Sequence, residues 1–193
     1  MTAIIELDGI IQCSLESFYL DFCEMESCGR EREVVSRYVF AHLVKHCEPG
    51  NVLHDSAQIG MEVAVRQLER CQEYPHVGKD VCKDVVIWRE PKTILWKANA
   101  RHFEPLAIME WKMIHAFDRP QDRKRKQEEY KSDIRWLGNK ARAVGAEFIG
   151  YAVFVDSTSE PRKLECAMVT AEEAQQRGYA VRFWNVSTGA VTI

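Results

Sequence analysis

The chain has 193 residues, of which 46% are apolar and 28% charged, a composition that matches a globular protein with one sizeable core and excludes a disordered or collagen-like one. Its longest clean apolar stretch, Phe148 to Val155, falls well short of the roughly 20 residues a membrane-spanning helix needs. Twenty-six basic against 29 acidic residues leave a formal charge of -3, which over the whole chain argues against a basic nucleic-acid binder.

Residues 1 to 12 carry Glu6 and Asp8 and no Lys or Arg, unlike the positive start of a secretory signal, so a cytoplasmic protein is expected. Ser14 caps a predicted helix over 14–27 in which Leu15, Phe18, Tyr19 and Phe22 recur at helical spacing, and Gly29 ends it. A second helix is predicted over 31–47, with Val34, Val35, Tyr38, Val39 and Leu43 on one core-facing stripe that also carries Glu31; it stops before Pro49-Gly50. From Gln58 to Leu68, Ile59, Met61, Val63 and Val65 alternate with Gly60, Glu62, Ala64 and Arg66, the period of a strand with one apolar and one polar side. Val81 to Trp88 reads as a buried strand with Asp84 at its mouth. Residues 90–104 read as a loop or irregular hairpin, and Pro105 to Ile114 as another buried strand. Arg123 to Val144 forms a long helix closed by Gly145, Phe148 to Val155 a further buried strand, Thr170 to Gly178 a capped helix and Tyr179 to Val186 a last strand. The order helix, strand, strand, strand, helix, strand implies an α/β fold: a mixed sheet covered by helices, with a helical extension over 1–30, a core over about 31–155 and an addition over 156–193 in one domain.

Seven cysteines, at 13, 23, 28, 47, 71, 82 and 166, include no C-x-x-C pair and are expected to be reduced, mostly buried thiols. His42 and His46 share a helix face without the glutamate of a zinc-protease motif and read as core-edge or surface residues. Phosphate-binding and dinucleotide loops, and a hydrolase nucleophile elbow, are not found in the sequence.

The chemistry concentrates in Pro105-Leu106-Ala107-Ile108-Met109-Glu110-Trp111-Lys112-Met113-Ile114, where two charges interrupt an apolar strand. Side chains alternate along a strand, so Glu110 and Lys112 share one side while Met109, Trp111 and Met113 face the other. Unpartnered burial costs roughly 2 to 7 kcal/mol even for an uncharged polar group, so the pair asks for a partner, a ligand or a metal. Composition alone gives about one E-x-K, and three occur. Glu90-Pro91-Lys92 and Glu129-Tyr130-Lys131 read as solvated surface; the Glu110 pair alone has apolar strand on both flanks. If the two buried strands pair, Asp84 and Glu110 converge, and two carboxylates brought together repel unless a cation neutralises them, which oxygen-seeking Mg²⁺ does well.

In order and in residues, Asp84 in one strand followed by Glu110-Trp111-Lys112 in the next resembles the PD-(D/E)xK nuclease superfamily, over about residues 31–155. The resemblance implies a restriction endonuclease-like core, metal ligation of Mg²⁺ or Mn²⁺ by Asp84 and Glu110, a catalytic role for Lys112, and in many members a homodimer. Lys83 stands where the family's motif has proline. Many members carry a further acid on the first core helix, which Glu31 matches; Glu62, on the polar side of the first strand, is the other candidate for completing the site, and Glu33 ranks below both. The implied activity is metal-dependent hydrolysis of phosphodiesters in DNA, in preference to RNA. The competing reading is a catalytically silent protein of the same fold that binds nucleic acid or a protein partner.

The substrate side rests on residues 119–142, which hold nine basic residues against four acidic ones. Arg119, Arg123, Lys124, Arg125, Lys126 and Lys131 lead this stretch directly after the Glu110 strand, so a phosphate backbone lying along it reaches Glu110 and Lys112. Lys92, Trp96, Lys97, Arg101 and His102 in the 90–104 loop mix charge with an aromatic in a manner suited to backbone contact and stacking.

Overall fold

The computed structural model describes residues 2–24, 29–66, 80–91, 105–114, 118–156, 181–185 and 190–192. The chain is α/β: helices α1 (Thr2–Cys23), α2 (Glu31–Tyr38) and α3 (Pro120–Val144), and strands β1 (Ile59–Arg66), β2 (Asp80–Ile87), β3 (Ala107–Ile114), β4 (Ile149–Asp156), β5 (Val181–Asn185) and β6 (Ala190–Thr192). The strands form one sheet in the order β1-β2-β3-β4-β5-β6. Pairing is antiparallel for β1 with β2 and β2 with β3, parallel from β3 through β4 to β5, and antiparallel again for β5 with β6. The switch at β3 follows from α3, whose crossover returns the chain to lay β4 parallel beside β3.

The two faces of the sheet bury separate apolar clusters. On one, Leu7, Ile11, Leu15 and Phe18 of α1, spaced three to four apart, join Val34, Val35 and Tyr38 of α2 over Val85, Met109, Trp111, Met113 and Val153. On the other, Tyr130, Ile134 and Leu137 of α3 cover Val86, Ile108, Ala152 and Phe154. Gly150 lets α3 approach β4: a Cβ there would come within 3.1 Å of Leu137 Cβ.

Several expectations shift. Helix α1 begins at Thr2, not at Ser14, because Leu7 and Ile11 already lie on its buried stripe. Ser14 is fully buried inside it, its hydroxyl donating to the Ile11 carbonyl and bonding the Tyr38 hydroxyl, both at 2.8 Å. The second helix keeps its expected span but changes pitch, passing into a π turn (Val39–Leu43) and a 3-10 turn (Val44–His46). Helix α3 starts at Pro120, whose fixed φ suits a first helical turn. Of the cysteines within the described residues, Cys13, Cys23 and Cys82 are exposed and Cys47 is half-buried, all free, which corrects the expectation of burial: the two on α1 and the one on β2 fall on wet faces. Strand β6 was not foreseen. Cys28, Cys71, Cys166, nearly all of the 90–104 loop with its cations and Trp96, and the helix expected over 170–178 lie outside the described residues. Among the described residues no helix is long and apolar enough to cross a membrane.

Strand β1 departs from simple alternation. Ile59 and Met61 pack with the α1 and α2 cluster, whereas Val63 and Val65 pack with the α3 cluster. In an unbroken strand all four would share a face. The reversal falls at Glu62, whose φ of 50° lies in the left-handed region, and the ladder passes from Met61 opposite Val85 to Val63 opposite Lys83, skipping the pair Glu62 and Asp84 between them. Strand β2 reverses with it: Val85 and Ile87 face α1 and α2, while Lys83 reaches α3.

Candidate functional site

Strands β2 and β3 pair only over Val85 to Ile87 and Ala107 to Met109, then diverge. Past that fork the β3 backbone N–H groups that would have continued the ladder take carboxylates instead. Trp111 N–H donates to Asp84 Oδ2 at 2.7 Å, and Met113 N–H donates to Glu31 Oε2 at 2.7 Å. The two acids are thereby seated by the chain's own unpaired donors, a buried N–H being costly to leave unmet. Glu31 is delivered by the first turn of α2, while the neighbouring Glu33 turns back to accept from Arg30 N–H at 2.8 Å and closes the helix start. That local role removes Glu33 from the site.

Glu110 and Lys112 both project toward α3, as the strand period requires, while Met109, Trp111 and Met113 fill the opposite core. Glu110 is buried and ion-paired with the equally buried Lys83, whose ammonium rests 3.9 Å from the centre of the Trp136 ring. Lys112 Nζ stands 3.7 Å from Glu129 Oε2 and 3.9 Å from Asp133 Oδ2 of α3. Asp84, Glu110, Lys112 and Glu31 thus come together at the fork. Glu62 does not join them: it is exposed at the rim, paired with Arg32 at 3.1 Å, and helps line a cleft of about 190 Å³ with Glu31, Val35, Ser36, Met61 and Asp84. Through this cleft Asp84 and Glu31 are reached from the α2 side.

The electrostatics are those of crowded, half-dry acids. Burial pushes the carboxyls of Glu31, Asp84, Glu110 and Asp133 above the ordinary carboxylate range. The Trp111 N–H, Lys112 and a hydrogen bond shared with Glu110 pull Asp84 back only in part, and Lys83 does the same for Glu110. Burial alone would lower the Lys112 ammonium, but Glu31, Asp133, Asp84 and Glu129 outweigh it and raise it, so Lys112 is a fixed positive charge at neutral pH.

Two participants escaped the sequence reading. Lys83 stood out only as a missing proline, and its burial depends on the reversal at Asp84. Asp133 was legible in principle, since it lies three residues after Tyr130 and four before Leu137, on the buried stripe of α3. Among the nine cations of the basic stretch, Arg119 is ion-paired with Asp122 at 2.8 Å, Lys126 with Asp118 at 2.6 Å, Lys131 with Glu128 at 3.3 Å and Arg125 with Glu129 at 3.8 Å, while Arg123 donates to the Asp118 carbonyl at 2.9 Å. Lys124 is exposed and has no ion pair among the described residues.

Among the described residues no three Asp, Glu, His or Cys side chains form a ready-made cation cage. The donor chemistry at the fork nonetheless suits a hard divalent ion. Asp84 and Glu110 are carboxyls close enough for the charge of Asp84 to raise the proton affinity of Glu110, and Glu110 draws a buried ammonium as its compensation. No family model, no curated protein and no solved structure matches this chain.

Proposed function

We propose that the chain is a divalent-metal-dependent nuclease with a restriction endonuclease-like core, hydrolysing phosphodiester bonds of DNA in preference to RNA. The observation that carries this reading is the meeting of Asp84, Glu110 and Lys112 where β2 and β3 part, with Glu31 on the adjacent N–H. The order α2, β1, β2, β3, α3, β4 supports it as well. Asp84 and Glu110 are the residues to hold Mg²⁺ or Mn²⁺. The bound ion supplies neutralisation of phosphoryl charge and acidifies water. Glu31, fixed by Met113 N–H, completes the acidic wall on the α2 side, facing the cleft by which substrate reaches Asp84. Lys112, kept protonated by the acids around it, acts as a hydrogen-bond donor and positive charge toward the phosphate and not as a base. The exposed cations at the start of α3, Lys124 and Arg125 foremost, take the neighbouring phosphates.

The test is incubation of single- and double-stranded DNA, and of RNA, with the protein plus Mg²⁺ or Mn²⁺. Cleavage is expected to require the metal, to stop with EDTA and to be lost in Glu110→Ala and Lys112→Ala. Cleavage that survives either substitution overturns the assignment. One observation favours a second reading, a silent nuclease-fold protein that binds nucleic acid or protein: Lys83 already compensates Glu110. Absence of any divalent binding that Asp84→Asn abolishes would decide for it.

A further inference from the structure

Lys83 has no role in the reaction just described, yet it occupies the centre of the site. Its side chain is 6% exposed, as is that of Glu110, and the two are in direct contact. A lysine this buried is uncommon without a dedicated seat. Three features make one. Glu110 provides the opposite charge, the Trp136 ring lies 3.9 Å under the ammonium, and Lys83 is the strongest attractive charge acting on Asp133, ahead of Lys112. Asp133 and Trp136 are three residues apart on α3 and so project from the same side of the helix toward the strand.

We propose that Lys83 is a built-in counter-ion standing in the cation position at Glu110, displaced when a divalent ion binds and received by Asp133 beside the Trp136 ring. The inference rests on the metal reading above. Its physical basis is that an ammonium in contact with Glu110 and a divalent ion on the same carboxylate repel strongly in a site with little water. One of them must leave. Lysine has the flexible four-carbon stem to move a few ångströms, and both its present and its alternative partner are already in place. The metal-free protein then keeps Glu110 compensated, and metal affinity is set by competition with the chain's own lysine.

The experiment is calorimetric titration of the full chain with MnCl₂, alongside circular dichroism to confirm folding, for wild type, Lys83→Met, Asp133→Asn and the double variant. Lys83→Met is expected to bind Mn²⁺ tighter by on the order of tenfold, in the range usual for coupled sites, and Asp133→Asn to bind it correspondingly weaker. In the double variant the Asp133 substitution is expected to have no further effect, because its influence runs through Lys83. Equal or weaker binding by Lys83→Met, with wild type binding normally, overturns this inference and leaves the metal reading standing. If neither wild type nor Lys83→Met binds Mn²⁺, the metal reading itself falls and takes the inference with it. An Asp133→Asn loss of the same size in both backgrounds makes Asp133 a ligand and overturns the displacement of Lys83 onto it. Should Lys83→Met fail to fold, Lys83→Gln removes the same charge while keeping a polar side chain at the site; tightening is again expected, and unchanged affinity overturns the proposal.

Discussion

Two clusters of charged side chains flank α2, and their carboxyls are shifted in opposite directions. Toward its C-terminal side, Asp21 accepts two hydrogen bonds from the Arg37 guanidinium at 2.7 and 2.9 Å, and His42 bridges it to Ser17, which in turn takes a bond from Lys45 at 2.8 Å. The Arg37 bonds, aided by His42 and opposed by burial, hold the Asp21 carboxyl down at about 2. At the N-terminal side of α2, Glu31 and the acids of the fork are all held up, because each carboxyl meets other carboxyls and a dry wall with too few donors. The first cluster is a finished structural joint between α1 and α2. The second is short of positive charge, the deficit that a divalent ion would make good on the proposed nuclease reading.

The sharpest way to break that contrast is Lys112→Ala. On the nuclease reading it lowers cleavage by roughly 10²- to 10³-fold, the usual cost of one preorganised charge stabiliser, with the thermal melt little changed. A loss of activity under threefold would mean that Lys112 belongs with the structural charges. Next in size, Glu110→Ala is expected to destabilise the metal-free protein by up to about 3–5 kcal/mol, the upper end applying if Lys83 stays stranded in the core and the lower end if Asp133 takes it over. Urea denaturation measures this, and recovery in the Lys83→Met/Glu110→Leu double variant would confirm that the stranded charge is the cause.

Opposite pH responses come next. Asp21, with its carboxyl lower in the folded chain than its ordinary value of 3.8, contributes stability that is present above that value and lost as pH falls toward about 2. Glu110 and Asp84, raised by burial, work the other way: their contribution is greatest at low pH and is lost as pH climbs above the ordinary carboxyl range. Thermal melts across pH should therefore show the Asp21→Asn variant less sensitive than wild type between about pH 4 and 2. Mn²⁺ should stabilise the protein more as pH rises through neutrality; a metal effect that shrinks with rising pH contradicts this account of the fork. The smallest effect concerns Glu62. Its left-handed φ of 50° suits glycine, and its pair with Arg32 is exposed, so Glu62→Gly should be neutral or stabilising by up to about 1 kcal/mol, whereas Glu62→Val should destabilise by about 1–3 kcal/mol.

The sequence was most legible where one period governed a segment. The shared side of Glu110 and Lys112 followed from strand alternation, and the stripe Val34, Val35, Tyr38, Val39 and Leu43 is buried apart from the change of pitch beneath it. Alternation misled in β1, because one residue at positive φ exchanges the faces of everything after it and nothing in the spacing of Ile59 to Val65 marks where. Ser14 illustrates a second limit. Its hydroxyl suits a helix cap or a helix interior equally, and only Tyr38, 24 residues away, decided for the interior. Residues 119–142 keep an excess of positive charge, but part of it is tied up locally: Asp122, Glu128 and Glu129 pair with cations three or four residues away, and Asp118, just outside the stretch, reaches Lys126.

The sequence by itself determined the strands and helices of the core, their α/β order and the positions at which charge enters apolar strands, because these depend on local periodicity and on the cost of burying polar atoms. Only the tertiary structure decided that β2 and β3 part after Val85 and Met109, that Asp84 and Glu31 take the N–H groups released there, and that Lys83 pairs with Glu110 in the core. Those contacts join residues 27 to 82 positions apart. Their partners are set by where strands diverge and by how one left-handed residue turns a face, quantities that no window of neighbouring residues contains.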